Sequence, residues 1–301
     1  MVASRIGSLS LITDTLRDVT ASQVRLSDLQ NQISSGNKAR NFAGLNGSVE
    51  KFTQINGQMN RATQYSANNQ LNISKLQTAD AALSKIVDIA DQIKTAIVGA
   101  TGATIKTSNL PQIISDLLQS FGGELNTTFS GTYLFGGTDT LNPPVPTTNV
   151  SNAAVGLPDD NFYTGSKQDA TLRADELSEV PFPVRADDIA FQKIFAAAKQ
   201  AISAAENGDS QSMGRAQQLI QDGQRDLIAV RSRVGSTVKN IQAIDARLSE
   251  LQTYWKELSD GVSKTDIVQA SAEVAGYQAI LQATFQVYSR LSSLRLSDYL
   301  K

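Results

Sequence analysis

A chain of 301 residues with 41% hydrophobic content carries enough apolar material for a packed core, in one large or two ordinary domains. Its 27 basic and 29 acidic residues are mixed along the sequence and leave a net charge of -2, so there is no basic stripe of the kind a phosphate backbone requires. It contains no cysteine and no histidine. That excludes disulfides, thiolate chemistry and cysteine-ligated metal, and removes the commonest general base and zinc ligand.

The first element is a heptad-patterned helix. Leu9, Ile12, Leu16, Val19, Gln23, Leu26, Gln30 and Ile33 step alternately by three and four and are apolar at 6 of 8 positions. Gly36, just past the last apolar turn, is placed as a left-handed helix stop, so this helix is expected to end near Ser35. A second helix, from about Asn46 to Val98, carries a seam from Phe52 to Ile97 that is apolar at 10 of 14 positions. At 1.5 Å per residue it would be roughly 80 Å long. After a polar connection, Gly99 to Ser108, a shorter third helix follows through Leu110, Ile113, Leu117, Phe121 and Leu125. It is expected to pack antiparallel on the second.

From Ser130 the pattern changes. Six of the seven prolines fall between Pro143 and Pro183, and the apolar residues occur in short runs: Thr132 to Phe135, Phe162-Tyr163, and Val180 to Val184. These predict short strands, several of them edge strands because proline cannot donate to a ladder. Helix resumes at Asp188, turns at Asn207-Gly208, and continues into the strongest seam, Leu227, Val230, Val234, Thr237, Ile241, Ile244, Leu248, Leu251, Trp255 and Leu258, apolar at 9 of 10 positions. Arg231 and Arg233 read as its solvated flanks. Asp260-Gly261 is expected to stop this helix, and Ser263 with Asp266 has capping-box spacing for the last one. That last helix carries Ala270, Val274, Tyr277, Leu281, Thr284, Tyr288, Leu291 and Leu294, with Leu296, Tyr299 and Leu300 beyond.

The fold read from these elements is mainly α: an elongated antiparallel long-helix bundle with terminal coiled-coil arms and one small inserted β-rich module. The arms span 1–42 and 263–301, the bundle 43–129 and 188–262, and the module 130–187. For the bundle helices the seams are expected to be the chain's own core. In the arms, burial against other molecules is expected instead.

No constellation for catalysis is present. Asp159-Asp160 lies in turn-rich sequence, and Asp187-Asp188 reads as a helix cap followed by an acid that favours the helix dipole. Gly136-Gly137 has no Lys-Ser/Thr after it and opens no helix, so it is not a phosphate loop. The expectation is a non-enzyme without cofactor or metal. Met1 to Asp18 lacks the unbroken apolar run of a cleavable secretory signal, since Asp14, Arg17 and Asp18 interrupt it. Asp88, Asp91 and Lys94 break the most apolar helix, so no stretch reaches the roughly 18 apolar residues that span a bilayer.

Leu29-Gln-Asn-Gln-Ile-Ser-Ser-Gly36, Gln77-Thr-Ala-Asp80 with Ala82-Leu83 before Ile86, Arg233-Val-Gly235 followed by Asn240, and the apolar C-terminal coil together resemble the flagellin superfamily. Within it, Ser130-Gly-Thr-Tyr133-Leu134-Phe135-Gly136-Gly137-Thr138, followed by a Pro-rich stretch and Asn161-Phe-Tyr-Thr-Gly165, is similar to the family of hook-filament junction proteins, the third hook-associated proteins. The resemblance implies a structural role in the bacterial flagellum, joining the hook-associated adaptor to the flagellin filament. It implies a ring-like assembly of the chain with itself, and the hook-associated adaptor protein, flagellin and a flagellar export chaperone as partners, with no membrane insertion. It also implies an extracellular location, reached through the flagellar export channel without a cleavable signal peptide, and terminal helices that form an inner tube. Two readings stand beside it: flagellin itself, which shares the arms, and a coiled-coil binding module.

Overall fold

The structure is a computed structural model that describes the backbone of residues 2–100 and 109–297, and side chains within 13–290 of that range except at 42, 43 and 46. The connection expected before the third helix therefore falls mostly outside the described residues. So do the side chains of Leu9, Ile12, Leu291, Leu294, Leu296, Tyr299 and Leu300.

In chain order the elements are α1 (Val2–Ser35), a 3-10 turn (Phe42–Ser48), α2 (Val49–Gly99), α3 (Leu110–Leu125), β1 (Thr128–Phe129), β2 (Thr132–Tyr133), a second 3-10 turn (Thr147–Asn152), β3 (Thr171–Arg173), β4 (Glu179–Pro181), α4 (Ile189–Asn207), α5 (Ser210–Ser263) and α6 (Ile267–Ser297). The chain is mainly α, with two two-stranded antiparallel sheets, β1-β2 and β3-β4, among the described residues. It divides into two compact units, 1–60 with 252–301 and 61–251.

Local chemistry sets the helix ends. Pro111 stands in the first turn of α3, where its missing N–H costs nothing. The Asp188 carboxylate caps α4 by accepting from the Ala190 N–H at 3.1 Å. Gly208 closes α4 in the left-handed conformation, φ 68°, its N–H on the Ala204 carbonyl. Asp209 then opens α5, accepting from the N–H groups of Gln211 and Ser212 at 2.9 and 3.1 Å.

Two expectations are corrected at the other end of α5. The helix does not stop at Asp260-Gly261 but runs to Ser263. Asp260 pairs with Lys256 at 3.1 Å and Lys264 at 3.2 Å, each four residues away, and its carbonyl accepts the Lys264 N–H, so the last turn outcompetes the glycine. Nor do Ser263 and Asp266 form a capping box. Asp266 is itself the cap, accepting from Val268 and Gln269 N–H, while the Ser263 hydroxyl turns back to the Ser259 carbonyl.

In the 61–251 unit, α2 and α5 lie antiparallel, tied by Gln70–Asp245 at 2.7 Å, Asp80–Arg231 at 3.0 Å and Asp91–Gln224 at 2.7 Å. Arg231 is thus an interhelical link and not a solvated flank. The seam positions Leu76, Leu83, Ala90 and Ile97 of α2 and Leu227, Val230, Val234, Ile241 and Leu248 of α5 are buried, as their period requires; Leu251 is 39% exposed. Ala79, Ala82, Ile86 and Ile93 widen the α2 stripe, because α3 and α4 bring further apolar faces to the same core. The third helix runs antiparallel to α2, with Lys85 on Glu124 at 3.3 Å. Where α3 meets α4, Phe121 packs edge-on to Phe195 at 5.1 Å, and Phe195 stacks on Phe162 at 4.1 Å.

Phe162-Tyr163 is not the strand its composition suggests. The Tyr163 N–H bonds the Asp160 carbonyl, a turn that aims Phe162 into the core. Of the Val180 to Val184 run, Val180 and Pro181 lie in β4, in register with Leu172 and Thr171.

In the other unit α1 and α6 pack antiparallel. On α1 the inward residues are Thr15, Val19, Ser22, Leu26, Leu29 and Ile33, with Leu29 only 1% exposed. The expected series shares Val19, Leu26 and Ile33 but places Leu16, Gln23 and Gln30 one residue further on. The seam takes the Leu29 phase because leucine there gains more from burial than Gln30 would.

Candidate functional site: the paired arms and the Tyr-Leu-Phe-Gly-Gly turn

Of the expected arm residues, Val19, Leu26, Ile33, Val274 and Tyr277 are half-buried and Leu281 is buried, each on the face that α1 and α6 turn to one another. Leu16 and Tyr288 point away from that seam, 53% and 46% exposed. Val24, Ile280, Phe285 and Val287 join them as large apolar side chains left in solvent. Each arm therefore carries an inner and an outer apolar stripe.

Where the arms meet, the chain crosses itself. Gly36 ends α1 at φ 70°, its N–H on the Gln32 carbonyl at 2.8 Å. Asn37 then pairs with Lys264 as one antiparallel bridge, flanked by Lys38 N–H to the Ser263 carbonyl at 2.8 Å and Thr265 N–H to the Gly36 carbonyl at 3.0 Å. The Lys38 ammonium reaches the Gly261 carbonyl at 2.7 Å, closing the last turn of α5. Further along, Arg25 pairs with Glu273 at 2.9 Å, with both side chains partly exposed. The glycine stop was visible in the sequence. The bridge was not, since a single backbone pair leaves no residue pattern.

In the 61–251 unit, Tyr133 to Gly137 is a backbone knot. Tyr133 and Leu134 donate to the carbonyls of Thr140 and Thr127, Phe135 accepts from Ala186 N–H at 2.9 Å, and Gly136 accepts from Ser166 N–H at 2.9 Å. Thr138 N–H bonds the Gln168 carbonyl at 3.0 Å. Both glycines are required by space. A Cβ on Gly136 would stand 2.2 Å from the Asp139 carbonyl oxygen, and one on Gly137, at φ 66°, would stand 2.3 Å from the Ser166 and 2.6 Å from the Gln168 carbonyl oxygens. The motif joins the strand-rich segment to the entrance of α4.

Arg185 completes that joint, bonding Asp187 through Nε at 2.8 Å and pairing with Asp169. The hydrogen bonds it donates to Asp187, then to Asp169, hold its guanidinium ionised against the cost of burial. Nearby, burial and the charge of Asp187 push the Tyr163 phenol well above its usual range, while its hydroxyl donates to the Ser166 carbonyl at 2.7 Å. Asp187 is thus an ion-pair partner and not the helix cap; that role belongs to Asp188, which also meets Arg233. A cleft of about 650 Å³ lies beside Val180 to Val184, Ser232 and Thr237. Its arginines, Arg185 and Arg233, both spend their charge on aspartates of the same wall.

A second joint went unread in the sequence. Asn68, Asn69 and Asn72 of α2 donate to the carbonyls of Arg173 and Ala174, and Asp175 accepts from Leu177 and Ser178 N–H and pairs with Arg247 of α5. The β3-β4 hairpin is thereby fastened to both long helices. The only signal available was a cluster of asparagines in an apolar seam.

Among the described residues no group of three or more acidic side chains is placed to hold a metal ion, and no helix is long and apolar enough to cross a membrane. No curated protein matches the chain. Solved structures share its fold, two of them as follows. The protein FlgL of Bacillus cereus is 18% identical, with a TM-score of 0.54 over 68% of this chain and 96% of its own. A Vibrio parahaemolyticus protein described as flagellar hook-associated is 16% identical, with a TM-score of 0.60 over 71% of this chain and 96% of its own. Residues 6–140, which run from α1 through the Tyr-Leu-Phe-Gly-Gly knot, match the family model of the bacterial flagellin N-terminal helical region.

Proposed function

We propose that this chain is a structural subunit of the bacterial flagellum, seated between the hook-associated adaptor and the flagellin filament. The observation that carries the reading is the pairing of α1 with α6, in a chain whose residues 6–140 match flagellin's N-terminal helical region and whose fold is shared with hook-associated proteins. Flagellin superfamily members are structural components, and the outer apolar stripes at Leu16, Ile280 and Tyr288 give the arms surfaces that further copies can cover. Leu9, Ile12, Leu291 and Leu294 extend the same arms and are assigned the same role.

In this reading the arms line an inner tube, and the ring they build contacts the adaptor on one side and flagellin on the other. The chain leaves the cell unfolded through the flagellar channel, handed over by an export chaperone, and works outside the cell. Electron microscopy of cells lacking the chain tests this. Hooks without filaments, with flagellin shed into the medium, are expected. Normal filaments refute the reading, and bare hooks with no flagellin in the medium mean that the chain is flagellin itself. Re-expression of a chain without residues 291–301 is expected not to restore filaments.

A further inference from the structure

We propose that the crossing of Gly36–Lys38 with Ser263–Thr265 is a register clamp, which fixes where along α1 the helix α6 pairs and makes the two arms one body. The seam itself specifies register only weakly. Its α1 face is Thr15, Val19, Ser22, Leu26, Leu29 and Ile33, of which only Leu29 is fully buried. Its α6 face is Ala270, Val274, Tyr277, Leu281 and Thr284. Small, hydroxyl and aliphatic side chains alternate on both, so sliding α6 by one heptad still sets apolar against apolar. The Arg25–Glu273 pair is too exposed to forbid the slide.

The crossing is different in kind. Its two backbone hydrogen bonds have directional geometry and no equivalent one heptad away. Gly36 supplies the left-handed turn that aims Asn37 at Lys264. Lys38 and Asp260 tie the crossing to the last turn of α5 through Gly261 and Lys264, and Asp266 begins α6 two residues later. Pairing starts from a fixed point at which both arms are anchored.

The absence of cysteine makes the test clean. Asn37 and Lys264 form the non-hydrogen-bonded kind of antiparallel pair, whose Cα atoms lie about 4.5 Å apart, within the range of a disulfide. The double variant Asn37→Cys/Lys264→Cys in the full chain is expected to close completely under mild oxidation, and failure to close overturns the proposal. Register is then read with a cysteine at Arg25 and another at either Glu273 or Ile280, one heptad on. With the clamp intact, only the 25–273 cross-link is expected.

The clamp is broken by Gly36→Val, which a left-handed φ opposes, together with Lys38→Pro, which removes the donor to Ser263. In that background the 25–280 product is expected to rise from background to a yield comparable with 25–273. Loss of both products, with the melting of the 61–251 unit unchanged, also supports the clamp, because the seam then fails to pair without it. If 25–273 persists as the single product, the seam sets its own register and the proposal falls.

Discussion

Gly137→Ala isolates the energetic cost of the Tyr-Leu-Phe-Gly-Gly knot. Two costs add. The left-handed φ of 66° disfavours any residue with a Cβ, by about 1 to 2 kcal/mol. The new Cβ would also stand 2.3 and 2.6 Å from two carbonyl oxygens, both backbone and therefore unable to swing aside. Relief requires the 166–168 segment to withdraw, which stretches Ser166 N–H to Gly136 and Thr138 N–H to Gln168; each such bond is worth about 0.5 to 1.5 kcal/mol. The sum is about 2 to 5 kcal/mol. Two controls separate the terms. Gly131, at φ 81° with nothing within 4 Å of a built Cβ, carries only the conformational cost, about 1 to 2 kcal/mol on alanine substitution. Gly235, inside α5 with open space around it, is expected to gain about 0.5 to 1 kcal/mol as alanine. Urea unfolding of the three variants, followed by far-UV circular dichroism, reads the ladder. If Gly137→Ala falls no further than Gly131→Ala, the packed carbonyls are not a constraint and the knot is looser than its geometry states.

Leu248→Ala removes a seam side chain that is 5% exposed in α5 and is expected to destabilise the chain by about 2 to 5 kcal/mol. Lys256→Ala, whose pair with Asp260 is largely exposed, is expected to change stability by about 0.5 kcal/mol or less; thermal unfolding compares them, and equal shifts would mean that α5 is misregistered. Asp175 has a carboxyl that burial would raise, but the Leu177 and Ser178 hydrogen bonds and Arg247 outweigh this and hold it below the usual carboxylate range. A depressed folded value means stability that is full above the unfolded pKa of about 3.9 and is lost as pH falls through the lower folded one. Asp175→Asn is therefore expected to cost about 1 to 2 kcal/mol at neutral pH, with the gap to the unsubstituted chain closing in acid below about pH 4. A gap that is constant with pH would rule out the charge as its source.

What could be read from residues alone follows from how each interaction is encoded. The α2 and α5 seams repeat for many turns, so a one-residue error in phase would set several charges inward at once, and the register read from sequence matches the buried set through Leu248. In α1 the same rule had less to grip. Leu16 and Leu29 belong to neighbouring stripes, and a seam diluted by glutamine and serine is consistent with either until Leu29 is seen buried. The strand reading of Phe162-Tyr163 followed composition, whereas the outcome turned on one backbone bond to Asp160 that composition cannot express. The ties that organise both units join residues far apart in sequence, as Asn69 does with Ala174 and Lys38 with Ser263.

Even so, the long seams hold a signal that periodicity alone discards. Two of the four polar breaks in the α2 seam, Asn69 and Asp80, are the positions where another element is fastened. Asn69 is fully buried with its amide on the β3-β4 hairpin, and Asp80 meets Arg231 from the facing helix. Burying the Asn69 amide in an apolar seam is costly unless a partner arrives for its N–H. Asp80, its side chain 45% exposed, keeps part of its hydration beside Arg231. A polar residue held in the phase of a long apolar seam therefore points to a cross-tie at that turn. In this chain the asparagine marks where the inserted segment is anchored to the helices that carry it.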